Sequence, residues 1–250
     1  MKFGCIFSAL GTALIYAGAN TGCALATALF LYAALSCLTL GLAYFLNRPQ
    51  FLMKRADGRL HWLSWLLFAP YHLNNHLFLE VFRRTSRKPR WTEVVPSLWL
   101  GGRLRSGDAA KLFGVATFLS PQAGVGGDRN VAPPSVLDVT AEFAEVSWLR
   151  QVPAYRCIPL LDTTAPSPEQ LRAGLAFIAE RLPRGSVYVH CAFGHSRSAA
   201  FVIGHLLDSG QCRTVDQAIT AVQARRPRVR LSPPQLAVLR QVFPAPTITP

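Results

Sequence analysis

The sequence predicts an α/β domain, a central mixed sheet flanked by helices, preceded by a hairpin of two membrane-spanning helices. Two patterns carry this. In the C-terminal part, short β-branched and aromatic runs alternate with apolar runs of helical length, the order that builds a helix-covered sheet. At the N-terminus, two long apolar runs separated by turn residues are followed at once by basic residues. The chain therefore divides into a membrane segment over residues 1–47, a basic, membrane-proximal linker over 48–90 and a catalytic domain over 91–250.

Phe3 to Ala19 is the first apolar run, and Cys23 to Leu46 the second, with no charge in it. The second is long enough to cross a bilayer and the first is at the short end. Asn20-Thr21-Gly22 between them is turn chemistry. The small residues Ala17-Gly18-Ala19 leave a signal peptide open as a second reading of the first run. Arg48, Lys54, Arg55 and Arg59 then keep the following chain on the cytoplasmic side, so a cytoplasmic catalytic domain is expected either way, on a multi-pass protein in the hairpin reading.

His61 to Phe82 carries Trp62, Trp65, Leu66, Leu67 and Phe68, is interrupted by Pro70, and continues through Asn74, Asn75 and His76. A segment this polar in its middle is a poor third span and reads as a Trp-rich interfacial element. His72 and His76, four residues apart, lack a nearby Cys or carboxylate and read as polar interface histidines, not metal ligands.

The net charge is +13. Residues 48–90 hold nine Lys/Arg against Asp57 and Glu80, so the excess gathers beside the apolar N-terminus. An anionic membrane surface explains that placement, whereas no aromatic-basic stripe supports nucleic-acid binding. The six cysteines show no paired spacing and form no disulfide framework, consistent with a reducing compartment.

From Trp91 onward, Val94 to Gly102 reads as a strand and turn, and Val115–Leu119, Ser135–Thr140 and Arg156–Leu160 as further strands. Ser120 to Pro134, rich in Gly and Pro, reads as a loop. Helices are expected at Pro168–Leu182, Thr214–Arg225 and Ser232–Val242, with Ser167, Thr214 and Ser232 as caps.

The informative stretch is Val187-Tyr188-Val189-His190-Cys191-Ala192-Phe193-Gly194-His195-Ser196-Arg197-Ser198, a strand and a small turn, followed by an apolar helix. A loop that opens a helix presents free N–H groups beside the positive end of the dipole, which suits a phosphate dianion. The same field lowers a thiol pKa, so Cys191 is the candidate nucleophile. Arg197, six residues on, can curl back to hold two phosphate oxygens. The backbone N–H groups of Ala192, Phe193, Gly194, His195, Ser196 and Arg197 would line the phosphate, with Gly194 free to adopt a conformation other residues resist. Ser198 can donate to the sulfur, His190 supports the loop, and His195 faces either substrate or solvent.

Cysteine chemistry needs an acid for the leaving oxygen and later a base for water. Asp162, 29 residues before Cys191 and in a loop after a strand, is preferred over Asp138, which stands inside a strand near Glu142 and Glu145. No metal and no cofactor are called for, because loop dipoles and Arg197 meet the charge.

His190-Cys191-x5-Arg197-Ser198 resembles the signature of the cysteine-dependent protein tyrosine phosphatases, with their dual-specificity branch the best match. Through Val136–Glu142, the Asp162 loop and Val187–Ser198, the chain also resembles the phosphatidylglycerophosphate phosphatase group; the resemblance covers roughly residues 91–243. It implies a protein tyrosine phosphatase-like fold, catalysis by Cys191, Arg197, Asp162 and Ser198 through a phosphocysteine, and a phosphorylated partner. Protein phosphotyrosine, with phosphoserine and phosphothreonine, is the first substrate reading and a phospholipid monoester the alternative. A phosphate-binding protein without turnover is a third class. The second basic cluster, Arg225, Arg226, Arg228 and Arg230, reads either as recognition of an acidic group or as a solvated turn around Pro227.

Overall fold

The computed structural model describes residues 2–86, 89–105, 107–108 and 134–244. The strand expected at 115–119 lies outside them, as does all but the last residue of the loop expected at 120–134. The chain forms two compact units, one of Met1–Arg55, Arg59–Arg87 and Ala141–Phe143, the other of Ala56–Gly58, Lys88–Thr140 and Ala144–Pro250.

In the first unit, α1 (Lys2–Ala19) and α2 (Ala24–Phe45) form a helical hairpin. The buried residues of α1 are Gly4, Gly11 and Gly18, a stripe with a period of seven. A side chain at Gly11 would run into Leu38, so the absent Cβ is what lets the two backbones approach. Outward faces remain apolar: Ile6, Leu10, Tyr16, Leu25, Leu29 and Leu35 are exposed.

A third helix, α3 (Trp62–Thr85), runs through Pro70 without ending there. The expected interruption is a kink: only Phe68, at φ −116° and ψ 25°, leaves helical geometry. Pro70 has no N–H for the Leu66 carbonyl, and the Tyr32 hydroxyl takes its place at 2.7 Å. His72 also departs from expectation. It is fully buried, with Nε2 2.9 Å from Ser64 Oγ and Nδ1 3.1 Å from the Glu142 carbonyl oxygen. Burial lowers its pKa to about 4. His76 stays half-buried, its ring stacked on Trp65.

The second unit is built on a mixed five-stranded sheet in the order β1-β2-β5-β3-β4. Its strands are β1 (Trp91–Val95), β2 (Leu98–Gly102), β3 (Ser135–Thr140), β4 (Ala154–Leu160) and β5 (Val187–Cys191). Val94 to Gly102 thus holds the end of one strand, a turn and a second strand: β1 and β2 form an antiparallel hairpin with Ser97 at φ 65°, and the other pairings are parallel. The flanking helices are a short α4 (Ser147–Arg150), α5 (Pro168–Arg181), α6 (Arg197–Asp208), α7 (Val215–Arg225) and α8 (Pro233–Val242). Ser167 and Thr214 cap α5 and α7 through reciprocal bonds with Gln170 and Gln217.

Strand alternation sorts the sheet residues by face. Val187, Val189 and Cys191 of β5 join Leu137 and Val139 of β3 in the main core, which Phe201, Ile203, Leu171 and Leu175 complete. Tyr188 and Val136 belong to a smaller cluster with Leu104, Leu149 and Val152. The period of two therefore puts His190 on the side of Tyr188, and the next residue, Cys191, on the helix side.

Candidate active site

The loop between β5 and α6 wraps around the Cys191 sulfur. Gly194 N–H and Ser198 Oγ–H both donate to it, each at 3.2 Å. Gly194 sits at φ +70°, and a Cβ there would strike the backbone of Gly101. Glycine is thus required on two grounds, conformation and space. Burial pushes the Cys191 thiol up, but the Arg197 guanidinium, the Ser198 hydroxyl and backbone N–H, and the Gly194 N–H outweigh it, leaving the pKa lowered. The charged form of the candidate nucleophile is thus favoured in a place where burial alone would disfavour it.

Arg197 is almost wholly buried as the first residue of α6. One guanidinium nitrogen donates to the Leu160 carbonyl at 2.9 Å, and another lies 3.0 Å from Asp162 Oδ1. The loop after β4 thus brings Asp162, with its side chain 43% exposed, onto the same guanidinium fork. Asp138 lies elsewhere: it is fully buried and accepts from Tyr155 Oη, Thr140 N and Thr140 Oγ1, each at 2.8 Å. No exposed edge is left for a leaving group.

Of the remaining loop residues, Ala192 is buried and Phe193 half-buried, its ring stacked on His195. Burial, with Arg226 and Arg228 adding repulsion, lowers the His195 pKa to about 4, so its imidazole is neutral at physiological pH. The loop and its neighbours bring together a buried thiol, the Arg197 guanidinium and a partly exposed carboxylate.

Residues 135–243 match the family model of the dual specificity phosphatase, catalytic domain. The chain carries a dual-specificity phosphatase-like domain. Similar solved structures include Tk-PTP in its active form, at 23% identity and a TM-score of 0.49, covering 62% of this chain and 97% of that one. PTPMT1 in complex with PI(5)P gives 21% identity, a TM-score of 0.49, and 62% and 95% coverage. Human DUSP28 gives 20%, 0.47, and 62% and 94%. No curated protein matches the chain.

Three residues whose contacts the linear sequence did not reveal support the loop between β5 and α6. Arg226, read within a basic cluster that either recognises an acidic group or forms a solvated turn around Pro227, is only 6% exposed. Its Nε donates to the Gly194 carbonyl at 2.7 Å and a terminal nitrogen to the Phe193 carbonyl at 3.0 Å. Its guanidinium thus holds two consecutive carbonyls of the loop. Gln235 of α8 is fully buried; its Oε1 accepts from Ser196 Oγ at 2.7 Å and its Nε2 donates to the Thr164 carbonyl at 2.8 Å. One amide therefore ties the phosphate loop to the Asp162 loop, where Ser232 Oγ also donates to the Thr163 carbonyl. Glu145 is the third, with Oε2 2.8 Å from His190 Nε2. The spacing Ser232-x-x-Gln235 was a visible capping signature; nothing in the sequence signalled the other contacts.

Asp138, Glu145 and His190 bring one ligand atom each within 4.8 Å of one another. Asp138 already accepts three donors and Glu145 Oε1 accepts the Val146 N–H at 2.7 Å, so these carboxylate oxygens are engaged by the protein's own donors.

Proposed function

We propose that the chain is a membrane-anchored, cysteine-dependent phosphatase that hydrolyses phosphate monoesters through a phosphocysteine. The observation that carries this is Cys191, with its thiol pKa lowered, beside a guanidinium that also touches Asp162. The Cys191 thiolate attacks phosphorus from the side opposite the ester oxygen. The phosphorus–oxygen bond breaks as protonated Asp162 gives its proton to that oxygen. Loop N–H groups and Arg197 hold the three equatorial oxygens, where charge is spread in the transition state. In the second step water attacks phosphorus while Asp162, now a carboxylate, takes its proton; the new phosphorus–oxygen bond forms as the phosphorus–sulfur bond breaks, and Ser198 Oγ–H stabilises the departing Cys191 thiolate. Inorganic phosphate leaves.

The Asp162–Arg197 contact gives the first step an order. An entering dianion competes for the guanidinium, and the carboxyl it displaces turns outward to the leaving group.

The reading takes α1 and α2 as membrane spans. Both are long and apolar enough to cross a bilayer, and most of their residues are unburied, unlike those of a helix in a soluble core. With Arg48, Lys54, Arg55 and Arg59 after the second span, the domain faces the cytoplasm. Phosphotyrosine proteins, with phosphoserine and phosphothreonine proteins, are the first substrate reading. The exposed apolar faces of the hairpin favour a second, a phospholipid monoester, which would be concentrated at the same surface.

The test is phosphate release by the full-length protein in vesicles, on phosphotyrosine peptide and phosphatidylglycerophosphate side by side. Cys191→Ser is expected to abolish release, and Asp162→Asn to slow it by about 10²–10⁴-fold. Release that survives in Cys191→Ser would overturn the mechanism, and the substrate preference of the wild type chooses between the two readings.

A further inference from the structure

Arg226 reaches beyond the phosphate loop. Besides the Gly194 and Phe193 carbonyls, its guanidinium donates to the Pro89 carbonyl at 3.2 Å, the Thr92 hydroxyl at 3.1 Å and the Arg90 carbonyl at 3.4 Å. Every N–H of a guanidinium fork is a donor, and here each has an acceptor: two from the loop between β5 and α6, and three from the segment that leads into β1. That segment includes the end of the stretch read as a basic, membrane-proximal linker. The chain's entry into the catalytic unit is thus bonded to the residue that holds the nucleophile's loop.

One peptide unit carries the link on to the sulfur. The Phe193 carbonyl accepts from Arg226 at 3.0 Å, and the Gly194 N–H of the same peptide donates to Cys191 Sγ at 3.2 Å. A trans peptide is planar, with C=O and N–H on opposite sides, so holding the carbonyl aims the N–H. Four of the acceptors of Arg226 are backbone carbonyls, which no side-chain substitution removes. The other is Thr92 Oγ1. Without it a nearly buried cation is left with an unpaired N–H, and the guanidinium tilts to find another partner.

The entry segment has fastenings of its own. The Arg90 carbonyl also accepts from the Gly102 N–H at 3.0 Å, the Arg90 side chain lies 2.5 Å from Asp108 Oδ1, and Thr92 pairs in register with Leu100 of β2. Loss of the hydroxyl therefore loosens the guanidinium while β1 stays in the sheet.

We propose that Thr92 is a positioning residue for the phosphate loop: its hydroxyl, with the Pro89 and Arg90 carbonyls, locks the Arg226 guanidinium, which fixes the Phe193–Gly194 peptide against the Cys191 sulfur. The proposal deepens the phosphatase reading of the same site and rests on it. Thr92 acts through Arg226.

The experiment uses the full-length protein in detergent micelles. Alkylation of Cys191 by iodoacetamide at neutral pH is followed by mass spectrometry of the Cys191 peptide, and its slowing by inorganic phosphate gives the dissociation constant of phosphate in the cradle. Thr92→Val keeps the shape and removes the acceptor, whereas Thr92→Ser keeps the hydroxyl. The expected result is about tenfold weaker phosphate binding in Thr92→Val, recovery in Thr92→Ser, and no further loss when Thr92→Val is added to Arg226→Gln. An unchanged constant in folded Thr92→Val overturns the proposal, as does a loss that adds in full to that of Arg226→Gln. Thr92→Ala is read in the same way; if neither variant folds, Thr92 serves folding and not positioning, and the proposal is overturned. Protection by phosphate needs no turnover. A wild type that binds phosphate yet releases none from phosphotyrosine peptide or phosphatidylglycerophosphate would sink the phosphatase reading and leave the role of Thr92 separately measured, whereas a wild type that phosphate does not protect overturns both.

Discussion

Arg226 illustrates what one side chain can do for a loop it does not belong to. Its fork spans two consecutive carbonyls of the phosphate loop, and a lysine could reach only one at a time. Arg226→Lys is expected to lower kcat/KM by about 10–100-fold, or about 1.4–2.7 kcal/mol of transition-state stabilisation; steady-state kinetics on an aryl phosphate measure it. Gly194→Ala should fail more severely, because it demands a left-handed alanine and collides with Gly101. Its expected signature is a lower melting temperature together with lost activity. At this scale the cradle was legible, since Cys191, Gly194, Arg197 and Ser198 lie within eight consecutive residues and local offsets fix their geometry. Arg226 and Glu145 were not legible. Their partners are 32 and 45 residues away in sequence, and nothing in linear spacing says which buried carbonyl or imidazole a charged side chain will meet.

Between elements, the amide of Gln235 couples α8 to two loops. Without it the loop that carries Asp162 loses the Thr164 tie to the phosphate loop. Gln235→Ala is therefore expected to slow substrates with poor leaving groups, such as phosphotyrosine, more than those with good ones, for which proton donation matters less. A Brønsted plot of kcat against leaving-group pKa should steepen. In α3, His72 is neutral when folded, with its pKa lowered from 6.5 to about 4. Between those values the unfolded chain binds more protons than the folded one, so stability is full above pH 6.5 and falls as pH drops toward 4, by at most about 3 kcal/mol. Melting of the full-length protein in micelles across that range should show the slope, and His72→Gln should flatten it. The helices and their caps were readable because capping chemistry is local. The α3 kink and the burial of His72 were not, because a proline's effect depends on whether a neighbouring helix supplies the missing donor.

For the molecule as a whole, the charge pattern and the hairpin make separate claims about the membrane. Exposed basic residues attract anionic lipid only within a Debye length of about 10 Å at 0.1 M salt, and salt screens them. An apolar hairpin is indifferent to salt. The protein is expected to stay with the membrane pellet through both 1 M NaCl and an alkaline carbonate wash; release by salt alone would reduce α1 and α2 to surface helices. The Leu66 carbonyl also orders the making of this unit in time. Synthesis runs from the N-terminus, so α1 and α2 are complete before Pro70 is added and leaves that carbonyl bare. Tyr32 is then already in place to receive it, 34 residues earlier in the chain. Tyr32→Phe, which by equilibrium measurement should cost only about 1 kcal/mol, is therefore expected to act mainly during biogenesis. It should lower the yield of inserted protein in a translation-coupled assay while leaving the kinetics of the molecules that do assemble unchanged.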